Sequence, residues 1–206
     1  GRRGEMETLQ KAFFYVVEDV EIHAVTIIGA PGKGKTRLMR EFLGWLDLRP
    51  ERMILLQGRA SNATIATPYA LLRTVLQNRF EIIEGDTLAQ TAAKLEAGVE
   101  ILTGVPHPEM AHLVGFLVGF DLPESEFLKG DMERLQARAL RYWRRMVTLT
   151  CRRQPLLLSL EDIHHADSAS LDLINDLMLE NPNLPVLAVM TARPTLLEWR
   201  PDWGAG

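Results

Sequence analysis

The sequence predicts a three-layer α/β fold: a mainly parallel sheet, helices on both faces, and a helical insertion between the second and third strands. Three observations carry this prediction. Four short, nearly continuous apolar runs have the length and content of buried strands: residues 25–28 (VTII), 53–60 (MILLQGRA), 155–160 (PLLLSL) and 186–190 (VLAVM). Segments with apolar residues at helical spacing alternate with them, the pattern of parallel strands joined by crossover helices. Between the first strand and its helix lies GAPGKGKT, residues 29–36, a turn that no packing argument requires.

The elements follow in order. Residues 6–17 form a helix with Leu9, Phe13, Val16 and Val17 on its apolar face, ahead of the strand at 25–28. Residues 36–46 carry Leu38, Met39, Phe42, Leu43, Trp45 and Leu46 at helical spacing. The second strand is closed by Gly58, and Thr67-Pro68 opens a helix over 69–80, proline suiting a first helical position. Residues 81–125 are the least legible; helices over 87–102 and 109–120, divided by GVPHP, fit best. A long helix over 131–152 presents Leu135, Leu140, Trp143, Met146 and Val147. The third strand, a helix over 168–179 and the fourth strand complete the series. Residues 81–152 thus read as a mostly helical insertion within one domain spanning 1–206.

Bulk composition bounds the function. The chain has 206 residues, 47% hydrophobic and 24% charged, ordinary for a globular protein with one substantial core. Its 27 acidic and 23 basic side chains give a net charge of −4, which argues against a broad nucleic-acid-binding surface. Basic residues cluster in RLQARALRYWRR, residues 134–145, where helical spacing makes a solvated face. The single cysteine, Cys151, allows neither an internal disulfide nor a thiolate zinc site and fits a reducing cytoplasm. The most apolar window, residues 112–120, is too short to span a bilayer. A start on Gly1 and an end in PDWGAG read as a piece of something longer.

Gly29, Gly34, Lys35 and Thr36 satisfy G-x-x-x-x-G-K-[ST]. Glycines let the backbone curl so that N–H groups point inward at phosphate oxygens, and the following helix adds its positive N-terminal end. Gly29, Ala30, Pro31, Gly32, Lys33, Gly34, Lys35, Thr36 and Arg37 form the expected binding segment. Lys35 is expected at the β- and γ-phosphates and the Thr36 hydroxyl on Mg²⁺. The glycine spacing fits Lys35, not Lys33, as the phosphate lysine.

A phosphate loop needs a metal partner and a group to orient water. The stretch LLLSLEDIHHAD ends the third strand in Glu161-Asp162. An acidic residue at the edge of a buried strand is costly unless it meets a cation. Glu161 is assigned to Mg²⁺ and Asp162 to the attacking water, and the two roles are exchangeable. His164 and His165 are adjacent and point in different directions, a poor zinc pair. Asp167 or Ser168 suits the N-cap of the next helix, with a structural role for Asp167.

These motifs resemble the AAA+ and STAND branches of the P-loop ATPases. GAPGKGKT fits their G-x-x-G-x-G-K-T form, and LEDIHHADSASLDLI is similar to the ED-x-HWAD-x-(A/S)SL segment of STAND modules. GRRGEMETL is similar to the GRE-x-EL-x-x-L entry segment, ATPYALLRTVL to a T-P-Y segment, and PVLAVMTARP to the fourth strand and following sensor. The resemblance runs from Gly1 to about Pro194. It implies a P-loop NTPase three-layer sandwich that binds ATP and ADP with Mg²⁺. By position it makes Thr191 or Arg193 the sensor that separates ATP from ADP, with Arg193 able to meet the γ-phosphate, and places Arg2 near the nucleotide. Adenine specificity rests on this resemblance alone. STAND modules sit in multidomain bacterial signalling proteins such as nucleotide cyclases, protein kinases and LuxR- or MalT-like regulators. Three departures stand out: His165 where tryptophan is usual, no fifth strand after Pro194, and no winged-helix region.

The expected function is a cytoplasmic, ATP-dependent switch with slow hydrolysis. Its expected partners are ATP, the output and sensor domains of the parent chain, and copies of itself in a nucleotide-dependent association. Neither membrane nor direct nucleic-acid contact is expected. The alternatives are a nucleotide-binding module without turnover and a DNA-acting AAA+ ATPase, for which the acidic balance offers no basic appendage. A kinase shares the phosphate loop, but Glu161-Asp162 and the TARP segment fit water as acceptor better.

Overall fold

The structure, a computed structural model, describes residues 2–180 and 183–204. The chain runs through α1 (Arg3–Glu18), β1 (His23–Ile28), α2 (Lys35–Asp47), β2 (Ile54–Arg59), α3 (Ala70–Phe80), α4 (Leu88–Thr103), α5 (Pro108–Leu117), α6 (Met132–Cys151), β3 (Leu156–Glu161), α7 (Ser168–Glu180), β4 (Val186–Ala192) and the short α8 (Leu196–Trp199). All four strands are parallel, in the order β1-β4-β3-β2. The expected α/β sandwich, with its helical insertion between β2 and β3, is the architecture observed.

Strand periodicity divides the interior in two. Leu157, Leu187, Val189 and Ile27 face one side and pack with Leu9, Phe13 and Val16 of α1 and Leu38, Met39 and Phe42 of α2. Their neighbours Leu156, Leu158, Leu160, Val186, Ala188 and Met190 face the other side, into a larger cluster shared with α3 to α7. Helices α4, α5 and α6 are therefore built onto the same core as the sheet. Among the described residues, no helix is long and apolar enough to cross a membrane.

Within the insertion, α4 opens with a capping box. The Thr87 hydroxyl accepts from the Gln90 N–H, and the Gln90 side chain accepts from the Thr87 N–H. Buried His112 joins three segments, its Nδ1 2.6 Å from Ser125 Oγ and its Nε2 2.8 Å from Glu96 Oε1. Gly98 lies against the Phe80 ring, so that a Cβ there would stand 2.1 Å from Phe80 Cδ1. Close packing of α4 on α3 explains this mid-helix glycine, which helix propensity disfavours.

Two expectations change. The helix after Thr67-Pro68 begins at Ala70, and Pro68 is not its first residue. Tyr69 takes a left-handed conformation (φ 59°) as the N-cap. Strand β4 continues two residues beyond 190, to Ala192, because Thr191 and Ala192 pair with Ile27 and Ile28 of β1. No fifth strand occurs among the described residues. The outer edge of β1 borders an open recess of about 730 Å³, and Trp203 Nε1 donates to Thr26 Oγ1 there at 3.0 Å.

The Asp167 carboxylate, 3% exposed, ties the start of α3 to the start of α7. Its Oδ1 accepts from the N–H groups of Tyr69 (2.7 Å) and Ser170 (2.8 Å). Its Oδ2 accepts from the Leu71 N–H (3.1 Å) and the Ser170 hydroxyl (2.8 Å). One side chain thus caps α7 and holds the start of α3, including the strained turn at Tyr69.

Two stability outcomes follow from this packing. Asp167→Ala strands buried donors and is expected to cost about 3 kcal/mol or more, with Asp167→Asn costing less, measured by urea unfolding. Gly98→Ala is expected to destabilise by about 1–3 kcal/mol through overpacking against Phe80, reversing the gain that helix propensity alone would give.

Candidate functional site

All four strands bring candidate site residues to their C-terminal ends, the edge where open α/β sheets bind ligands. Residues 29–34 leave β1 and enter α2 through two left-handed glycines, Gly32 (φ 74°) and Gly34 (φ 75°). A side chain at either position would strain that curl. Gly34 is the N-cap of the 13-residue α2, whose positive end faces the loop. Lys35 is only 9% exposed and folds back over the loop, its Nζ donating to the carbonyls of Gly29 (2.7 Å) and Ala30 (3.2 Å). Arg2 reaches the same loop and donates to the Lys33 carbonyl. Arg37 points away into solvent and pairs with Glu41 at 2.8 Å.

Glu161 ends β3. Because β4 lies between β1 and β3, the carboxylate meets the phosphate loop across the end of β4. The Thr36 hydroxyl lies 3.5 Å from Glu161 Oε2. This pair of oxygen ligands suits a hard divalent cation such as Mg²⁺. Among the described residues, no three His, Cys, Asp or Glu side chains form a group able to hold a metal. A cation at Thr36 and Glu161 would therefore draw its other ligands from phosphate and water.

Asp162 leaves the strand in a left-handed conformation (φ 55°), turning the chain into a short 3₁₀ segment, Ile163–His165. Arg59, at the end of β2, holds its carboxylate with two bonds, from Nε at 3.0 Å and Nη2 at 2.8 Å to Oδ2. The register places Arg59 beside Glu161, which explains how it reaches the next residue.

The end of β4 is stitched to this segment twice. The Asp162 N–H donates to Thr191 Oγ1 at 3.1 Å, and the Arg193 N–H donates to His164 Nδ1 at 3.3 Å. Thr191 is 1% exposed, so its hydroxyl serves the Asp162 backbone, while Arg193 is exposed. Burial pushes the His164 pKa below its ordinary value, His165 adds to this, Asp162 opposes it, and Arg193 and Lys35 add to it. Its Nδ1, which accepts the Arg193 N–H, carries no proton.

The fold therefore brings Arg2, residues 29–36, Glu161, Asp162, Thr191 and Arg193 to one edge, with Arg37 directed outward. Sequence reasoning passed over Arg59 and weighed His164 only as half of a poor zinc pair. An arginine closing an apolar strand was the available signal for the first. For the second it was a histidine between Ile163 and Ala166, both buried.

Comparison with known proteins agrees with this geometry. Over 181 residues the chain is 28% identical to an uncharacterized protein of Rhizobium meliloti (strain 1021), a match covering 85% of this chain and 17% of that protein. The chain thus spans about a sixth of the length of that curated relative. The sequence profile of the AAA ATPase domain matches residues 1–189. With the phosphate loop, the facing acidic pair and the parallel sheet that joins them, the chain belongs to the AAA ATPase domain family.

Proposed function

We propose that this chain is an ATP-binding switch that hydrolyses ATP slowly in the presence of Mg²⁺, acting within a larger signalling protein of the STAND type. The observation that carries this reading is the convergence of the Lys35 loop and the Thr36–Glu161 oxygen pair on one edge of the sheet. Lys35 exchanges the carbonyls of Gly29 and Ala30 for β- and γ-phosphate oxygens. The N–H groups of the loop and the start of α2 cradle the phosphates. Thr36 and Glu161 hold Mg²⁺, which when bound neutralises charge developing on the transferred group.

Asp162 accepts a proton from the water that attacks the γ-phosphorus as the bond to the β–γ bridging oxygen breaks. Thr191 fixes the backbone from which Asp162 projects. Arg193 meets the γ-phosphate and Arg2 steadies the loop from outside. The residues of the site do not choose a base, and adenine follows from the family. The reading includes a cytoplasmic setting, output and sensor domains elsewhere in the parent, nucleotide-dependent self-association, and no direct nucleic-acid contact.

One observation favours a second reading, nucleotide binding without turnover. Arg59 engages Asp162 with two bonds and occupies the carboxylate oxygen Oδ2 that would otherwise be open to a water. Phosphate release at saturating ATP separates the two readings.

Calorimetric titration with ATP·Mg²⁺ and ADP·Mg²⁺ is the direct test. Lys35→Ala is expected to weaken both by about 100-fold or more. Glu161→Gln is expected to keep ATP binding within a few-fold while cutting phosphate release by about 100-fold. Undiminished binding by Lys35→Ala overturns the assignment of the loop.

A further inference from the structure

His164 carries an unanswered hydrogen bond. The ring is 5% exposed, and its Nδ1 accepts the Arg193 N–H. An acceptor at Nδ1 is an unprotonated nitrogen, so the proton of the neutral ring sits on Nε2. That Nε2–H is buried and has no acceptor among the described residues. Arg49 Nε shares the condition, but Arg49 keeps Glu51 at 3.6 Å and lies over the rings of Phe14 and Trp45. His164 has no such compensation; its ring neighbour is His165, with centroids 4.0 Å apart.

A buried donor without a partner is costly, and a bound group that brings a free acceptor removes that cost. The ring sits in the turn directly after Asp162 and takes the Arg193 N–H at the end of β4, and Lys35, folded over the phosphate loop, is close enough to act on it electrostatically. A terminal phosphoryl group there offers the acceptor oxygens that the protein does not.

We propose that His164 reads the third phosphate: its Nε2–H donates to a γ-phosphoryl oxygen of the bound nucleoside triphosphate, while Nδ1 passes the position of the ring to the Arg193 backbone. The proposal rests on the ATP-binding reading above. It makes His164, rather than Arg193 alone, the residue that tells triphosphate from diphosphate. The same ring couples that distinction to β4, because a shift of the imidazole toward phosphate pulls on the Arg193 N–H. The Asp162 N–H on Thr191 anchors the opposite side of the segment, so the ring pivots rather than the whole turn.

The two nitrogens can be tested separately. In His164→Asn the amide oxygen stands near Nδ1 and keeps the Arg193 contact, but nothing reaches the phosphate. In His164→Gln the terminal amide stands near Nε2 and keeps the donor. Affinities for ADP and for the non-hydrolysable analogue AMP-PNP, each with Mg²⁺, are measured by calorimetry on the full chain and both variants. The expected result is that His164→Asn weakens AMP-PNP binding about tenfold with ADP unchanged, while His164→Gln keeps the wild-type ratio. Nitrogen-15 spectra of the imidazole are expected to show the Nε2 proton in the free protein and a shift with AMP-PNP but not with ADP.

Equal loss for both nucleotides in His164→Asn, or an unchanged ratio, overturns the proposal. Wild-type binding of ADP that is lost in Lys35→Ala upholds the nucleotide site whichever way the His164 variants behave. A wild-type chain that binds neither nucleotide overturns both.

Discussion

The fold turns on one buried carboxylate. Asp167 lies five residues beyond Asp162 and satisfies four donors drawn from α3 and α7. A carboxylate this deep is tolerable only because every donor is aimed at it before the ligand arrives. Its position sets where α7 begins, and therefore how the segment 162–166 must bend between strand and helix. The left-handed turn at Asp162 and the burial of His164 both follow. The acidic pair is thus held from behind by a capping interaction a few residues further along the chain.

Parallel strands make this edge possible. With every strand pointing the same way, the loop after β1, Arg59, the acidic pair and Arg193 emerge together. The order β1-β4-β3-β2 then inserts β4 between phosphate loop and acidic pair. Whatever moves the end of β4 lies between the two halves of the chemistry. The two bonds from Asp162 and Arg193 across this junction are short-range contacts with leverage on both sides.

Much of this was legible from local pattern. The strands are apolar runs, and the phosphate loop is a contiguous motif whose geometry is set by its own glycines. The acidic pair needed only its place at the end of a strand. Other features depend on groups far apart in the chain. The Arg59–Asp162 pair spans 103 positions, and the His164–Arg193 contact depends on how far β4 extends. No period or spacing encodes either. Tyr69 misled for the same reason: Pro68 suits a helix start, but Asp167, almost a hundred residues later, chooses where α3 begins. Gly98 is likewise explained by the Phe80 ring and not by its own helix.

Charge at this edge also differs in sign from that of the chain as a whole. Arg2, Lys35, Arg59 and Arg193 gather at the edge where Glu161 and Asp162 supply the opposing carboxylates, in a chain whose net charge is −4. These six side chains leave a local balance of +2 (four cations less two carboxylates), opposite in sign to the chain as a whole. An anion near this edge meets a local excess of cations that the net charge of the chain conceals. Attraction of this kind acts over a Debye length of about 8 Å at physiological ionic strength. A field of that reach distinguishes the sign of an approaching charge and carries no information about a base.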